Sequence, residues 1–371
     1  MSKPFSHYII NLRKSLRYFP RNFWQWLVRY WQLSWLYKAL FVFIALIILA
    51  TGSMYGIARW YIASEQGKQV IGTSFIPAYA ESLGLDPQQT MDALITDLGV
   101  KHFRLVSYWD QLEPTKGTYD FSLLDWQFKK AEAAHAKISL SLGLRQPRWP
   151  ECHLPTWAVG EPTSQWYAEL NTYIQAVVDR YKNSPSLESY QLENEYFLQG
   201  FGVCTDFSRD RLIAEFNTVK KADPHHPVII SRSNNAQGVP INEPTPDEYG
   251  ISIYKRVWSP PIGRYIEYPF PAWYYGFLAG AQKLTSGKDM IIHELQMEAW
   301  PPHGKSITET SLAEQDKSID AQRFKDRVEY GKATGMRSIY LWGSEYWYYR
   351  MTIMHDPSLW NQAKDAFKPQ S

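Results

Sequence analysis

Two patterns of hydrophobic and polar positions divide the chain. From Ala39 to Ala58 there is no alternation: 20 residues, ALFVFIALIILATGSMYGIA, carry no charge, and Leu40 to Ala50 is apolar all round. At the α-helical rise such a span is about 30 Å long, the thickness of a bilayer's hydrocarbon core. A helix lying on a membrane surface would keep one polar face, so the span predicts a transmembrane helix. Lys38 and Arg59 bracket it, and Trp31, Trp35, Tyr37, Trp60 and Tyr61 supply rings for both interfaces. A cleaved signal peptide fits less well, because the segment before the span is longer than the usual n-region.

Beyond residue 65 short apolar runs alternate with helical patterning. Strands are predicted at 70–75, 101–106, 137–142, 188–192, 228–230, 251–254, 290–293 and 338–342. Helices are predicted at 87–98, capped by Asp86 with Pro87 in its first turn, and at 121–134, capped by Asp120. Further helices fall at 165–181, 208–222, 273–284 and 312–333, with none between the fifth and sixth strands. Segments 238–248 and 258–271 are rich in Pro and Gly and read as long loops. Strands alternating with helices argue an α/β fold with a parallel sheet. Eight such units over about 300 residues argue a (β/α)8 TIM barrel. The expected organisation is a basic arm at 1–38, a transmembrane signal anchor at 39–60 and a barrel domain at 65–371.

Charge adds an orientation. Residues 1–60 hold eight basic residues and no acid, so the chain's 39 basic residues less these eight leave 31 against 37 acids beyond them. Basic residues before the span place the N-terminus in the cytoplasm and the barrel outside. The segment FWQWLVRYWQLSWLYK would lie on the inner leaflet, making membrane lipid a partner. An acidic domain behind a basic arm excludes a nucleic-acid binder of the usual kind. Two Cys exclude a multi-cysteine zinc module. No P-loop, G-x-G-x-x-G or G-x-S-x-G occurs, and His293-Glu294-Leu295-Gln296-Met297 lacks the second His of H-E-x-x-H, so neither cofactor nor metal is predicted. The chain has no N-x-S/T sequon, which points to a bacterial source.

In a (β/α)8 barrel the loops after the strands build the active face. Three strand ends carry acids there: Glu193-Asn194-Glu195, Glu294 with Glu298 beyond it, and Trp342-Gly343-Ser344-Glu345. Strands four and seven are expected to face each other, so their carboxylates converge. Two such carboxylates are what glycoside hydrolysis requires. Glu193 rivals Glu195, since an ideal strand points both the same way, and Glu298 rivals Glu294. Aromatic residues are abundant, with 16 Trp and 25 Tyr. Trp109, Trp149, Trp258, Trp300, Trp342 and Trp347 fall on or just after strands, where indoles can pack on the C–H faces of sugars. Trp126 and Trp166 lie on helices and read as core. Cys152 and Cys204 follow adjacent strands three and four, so they form either a disulfide or two free thiols.

These residues carry a resemblance. Gln191-Leu192-Glu193-Asn194-Glu195-Tyr196 resembles the Q-x-E-N-E-Y stretch of clan-A β-galactosidases, within the retaining barrel glycosidases of clan A. Trp109-Asp110-Gln111-Leu112-Glu113-Pro114, with Gly117, Tyr119, Asp120 and Phe121, resembles their stretch after strand two, with one extra residue after the Trp. The resemblance spans roughly 70–345. It implies Glu195 as acid/base, Glu294 as nucleophile and Asn194 as partner of the sugar 2-hydroxyl. It further implies Arg104 and Tyr254 beside the nucleophile and Trp342 as the floor of the sugar site. Trp109 and Glu345, at the ends of strands two and eight, complete the expected substrate-binding set. The function expected is that of a membrane-anchored retaining β-glycosidase acting on an oligo- or polysaccharide. A transglycosylase on the same scaffold and a silent glycan-binding barrel are the alternatives.

Overall fold

The computed structural model describes Gln25, Arg29 and residues 34–198, 200–204, 206–232 and 244–368. The basic arm and the inner-leaflet segment therefore lie almost wholly outside the described residues, as does most of the predicted loop at 238–248.

The first described element is the helix Trp35–Glu65, whose apolar side chains from Leu40 to Leu49 are exposed. Among the described residues it is the one helix long and apolar enough to cross a membrane. From Ile57 onward the helix belongs to a compact unit, Ile57–Ser371. There it turns amphipathic, burying Ala58, Tyr61 and Glu65 at helical spacing. Gly280 makes room for it: a Cβ at that position would sit 2.9 Å from Ile57 Cγ2 and 3.0 Å from Tyr61 Cβ. Glu65 accepts from Arg337 Nε. Tyr61 is thus core at 1% exposure, not the membrane-interface ring that its place after the apolar span suggests.

Among the described residues ten strands follow: β1 Val70–Ser74, β2 His102–Leu105, β3 Lys137–Leu142, β4 Leu187–Leu192, β5 Val228–Arg232, β6 Glu248–Ile253, β7 Arg256–Ser259, β8 Arg264–Glu267, β9 Asp289–Gln296 and β10 Ser338–Trp342. Eight close a parallel barrel in the order β1-β10-β9-β6-β5-β4-β3-β2. In that ring β10, not β9, stands directly across from β4, and β9 lies three places from it. Phe103, Leu105, Leu140, Leu142, Leu192, Ile230, Leu295 and Leu341 are buried in the core.

The helices Pro87–Thr96, Thr163–Tyr181, Arg209–Ala222 and Ala272–Ser286 stand where the patterning predicts them. Asp86 caps the first of these, accepting from Gln89 N. Asp120 lies one residue outside the cap of Ser122–Ala133, accepting from Ser122 N. The long helix expected at 312–333 is broken into Leu312–Gln315 and Ala321–Lys332. Asp320 is the cause: its carboxylate accepts from Arg323 N and starts a new helix, an option short polar side chains offer the backbone. The loop at 258–271 contains the turn and second strand of the antiparallel hairpin β7–β8, with Trp258 opposite Tyr265. Pro260 and Pro261 occupy only its turn.

Replacing Tyr61 by Ala should destabilise the barrel unit by about 3 kcal/mol, as loss of a buried ring does. Thermal unfolding measures this. An unchanged melting temperature would show that the end of the helix is not part of the folded unit.

Candidate active site

Arg104 sits at the top of the barrel's interior, 1% exposed. Its neighbours Phe103 and Leu105 pack in the apolar core while Arg104 points inward, the alternation a strand imposes. Nε donates to Gln191 Oε1 at 2.5 Å, Nη2 to Asn194 Oδ1 at 2.9 Å, and Nη1 to Glu294 Oε1 at 2.8 Å and Ser74 Oγ at 3.4 Å. The second oxygen of Glu294 accepts from Tyr254 Oη at 2.8 Å. Both oxygens of Glu294 are therefore held, one by a charge-assisted bond, and the carboxylate has one orientation. Burial, with the charge of Glu294, raises the Tyr254 hydroxyl well above its ordinary value, so it remains a donor. A register shift between β6 and β9 after Ile251 perturbs the alternation next to this point. His293 meets Ser252 Oγ at 3.2 Å, and burial keeps it neutral.

After β4 the backbone leaves the sheet abruptly. Glu193 and Glu195 both take left-handed φ values, 55° and 43°, which are unusual for a residue with a Cβ. Hydrogen bonds enforce the turn: Glu193 N donates to Leu142 O at 2.9 Å, Asn194 N to Arg145 O at 2.6 Å and Glu195 N to Ser231 Oγ at 2.8 Å. The two carboxyls consequently part. Glu193 accepts from Leu144 N, Arg145 N and Arg211 Nη1, at 2.7, 3.1 and 2.7 Å, and is fully engaged inside the protein. Glu195 faces the cavity instead. The expectation that both point the same way fails because the extended backbone ends at Leu192.

The Glu195 carboxyl is buried, and burial is the largest influence on it. The charges of Glu294 and Glu151 act in the same direction, and together they push it up to about 8. An acid held protonated beside a fixed carboxylate is the environment pair that acid/base chemistry uses.

Glu195, Glu294, Tyr254 and Trp342 line one cavity of about 420 Å3, together with Trp149 and Trp300. Asn194, 2% exposed, lies behind it. Its Oδ1 accepts from Arg104 and Gln191, and its Nδ2 donates to Glu151 Oε2 at 2.9 Å. Of the six expected substrate contacts only Tyr254 and Trp342 line the cavity; Arg104, like Asn194, stands behind it, and Trp109 and Glu345 do not reach it either. Trp109 is wholly buried, donates to Glu113 Oε2 at 2.7 Å and stacks on Tyr173 as core. Glu345 is 1% exposed and accepts from Ile76 N; burial raises it to about 7. Trp347 is also core, donating to Met297 O. Trp258 stands on the hairpin beside His303.

The structure adds two residues that sequence reasoning passed over, Glu151 and Arg148, and gives Glu298, the rival of Glu294, an ion-pair partner. Glu151 lines the cavity, with burial lifting it to about 7. Its loop is tied by the Cys152–Cys204 disulfide, Cα–Cα 5.4 Å. Arg148 and Glu298 pair at 2.8 Å on the cavity wall. Both Arg148 and Glu151 lie in an irregular loop with left-handed backbone, φ 84° and 75°, where no periodicity reveals which side chains turn inward.

No family model matches the chain. It is 24% identical over 161 residues to mannan endo-1,4-beta-mannosidase F of Aspergillus fumigatus, covering 40% of this chain and 35% of that protein. It is 26% identical over 153 residues to mannan endo-1,4-beta-mannosidase A of Podospora anserina, covering 40% and 39%. The chain thus spans well under half the length of the curated relatives it matches. Among solved structures, an endo-beta-1,4-xylanase of glycoside hydrolase family 10 from Gloeophyllum trabeum superposes with a TM-score of 0.54 at 14% identity, covering 82% of this chain and 98% of that one. The barrel therefore shares its fold with clan-A glycoside hydrolases.

Proposed function

We propose that the chain is a retaining β-glycosidase that cleaves glycosidic bonds with Glu294 as nucleophile and Glu195 as acid/base. The observation that carries this reading is the contrast between the two carboxyls of one cavity. Glu294 accepts on both oxygens from Arg104 and Tyr254, while Glu195 is held protonated by burial and by its acidic neighbours. The mannan-cleaving relatives support the same reaction class.

In this mechanism Glu294 attacks the anomeric carbon as the Glu195 proton passes to the departing oxygen. Water, deprotonated by Glu195, then displaces Glu294 from the sugar. Each displacement inverts the carbon, so the β configuration returns. Arg104 and Tyr254 keep Glu294 in line and remain in place throughout. Trp342 offers a flat face to the sugar.

We further infer that Trp35–Glu65 anchors the barrel on the outer side of a membrane. Its length and exposed apolar surface, the basic residues before it and the disulfide beyond it support this reading. Protease added to intact cells should degrade the barrel and spare an N-terminal tag. A released, fully soluble barrel, or a protected one, would contradict it.

The two Glu should fail differently. Glu294→Gln should lower turnover of every substrate by at least a thousandfold. Glu195→Ala should lose as much on alkyl glycosides, yet form the glycosyl-enzyme readily from activated aryl glycosides, whose leaving groups need no proton. Azide should restore part of its turnover. Proton NMR of the first product should show the β-anomer; an initial α-anomer would overturn the role of Glu294.

The pH profile carries a sign. The active form has Glu195 protonated, and its raised value means this form persists through neutrality. Activity should therefore be lost as pH rises through about 8. The limb belongs to kcat/KM, which reports the free enzyme. Glu195→Ala assayed on an aryl glycoside should lack it, and a limb that persists in this variant would assign the titration to another group.

A further inference from the structure

Beside the catalytic cavity lies a second one of about 820 Å3, lined by Ile76, Tyr79, Tyr108, Asp110 and His153 among others. Neither Glu195 nor Glu294 reaches it. The two cavities share a strip of wall that includes Arg148 and Glu298. Arg148 forms the partition. Its guanidinium lies 3.3 Å from the centre of the Tyr79 ring, which lines only the outer cavity, and 4.6 Å from that of Trp342, which lines only the catalytic one. Both guanidinium ends bind Glu298, Nη2 to Oε2 at 2.8 Å and Nη1 to Oε1 at 3.3 Å. Tyr79 Oη closes the cluster, donating to Glu298 Oε1 at 2.7 Å.

The side of the cavity that this wall closes follows from the chemistry. Glu195 protonates the leaving oxygen, so the departing part of the substrate lies on the β4 side. The sugar that stays on Glu294 lies away from it, toward Trp342, and β10 stands across the barrel from β4. The Arg148 plate rests against Trp342 on that far side. A chain continuing beyond this sugar would have to pass through the Tyr79–Arg148–Glu298 cluster. The cluster resists displacement: the cation is stacked between two rings and paired bidentately, with side chains only 18% and 11% exposed.

Resting on the glycosidase reading above, we infer that Arg148 and Glu298 close the glycone subsite after a single sugar, so that the chain removes one terminal residue at a time from a β-linked glycan. Arg148 and Glu298 are specificity-determining residues in this account and take no part in proton transfer.

The test uses the full-length protein in detergent. The probes are 4-nitrophenyl β-glucoside, galactoside, mannoside and xyloside, and the β-1,4-linked pentasaccharides of glucose, mannose and xylose reduced at one end to mark direction. The expected result is nitrophenol release from a monoside, and monosaccharide with the reduced tetramer as the first products of the matching pentasaccharide. Disaccharides or longer fragments from the unreduced end among the first products would overturn the closed subsite while leaving the glycosidase reading intact. No cleavage of any probe would overturn that reading, and the subsite with it. Arg148→Ala should open the wall, raising turnover of an aryl bioside relative to the monoside at least tenfold. Glu298→Gln, which keeps the shape, should move the same ratio in the same direction by less. A ratio unmoved in a folded Arg148→Ala variant would overturn the assignment.

Discussion

A permanently charged group inside a barrel must be given acceptors, because a guanidinium cannot shed its proton to escape burial. Arg104 imposes that demand here. It is met by Ser74 on β1, Gln191 on β4, Asn194 just beyond β4 and Glu294 on β9. These acceptors come from distant parts of the chain and meet only if the barrel closes in the observed register. The same bonds that satisfy the cation fix the carboxylate. A site built in this way has little freedom to reorganise when substrate enters, the condition under which electrostatic stabilisation is most effective.

The second carboxyl is positioned by the opposite device. Among the described residues no cation pairs with Glu195; it sits on a turn whose left-handed residues are held by neighbouring strands. Glu193 is spent on the Arg211 network, where Arg211 also binds Glu215 and Asp206. That network anchors the turn from behind. One glutamate is used up as structure, so the one two residues later is presented to the cavity in a partly desolvated state.

Much of the barrel was legible because each strand is a short apolar run between turn residues, and β3 and β10 match their predicted limits. The inward positions of Arg104 and Glu294 were legible from their place within strands, whereas Glu195 and Tyr254, which lie beyond strand ends, were legible only through the resemblance. Legibility ended where backbone and side chains leave regular periods. Trp342 is the last residue of β10, whereas Trp109 follows β2, lies in the short helix Trp109–Leu112 and turns into the core. Glu151 and Arg148 sit in a loop whose inward side is chosen by left-handed residues. Tyr61 follows the apolar span without a break, and tertiary packing, against Gly280 and Gly335, marks where one environment ends and the other begins.

The central claim is that Glu294 forms the covalent bond to the sugar. The most direct measurement is to react the protein with 2-deoxy-2-fluoro β-glycosides bearing a dinitrophenyl leaving group, which slow the second displacement more than the first. Intact-mass spectrometry should show one added glycosyl unit. Peptide mapping should place it on the segment containing Glu294, with none formed in Glu294→Gln. An adduct on Glu298, Glu151 or Glu195 would contradict the account, as would turnover without any covalent species.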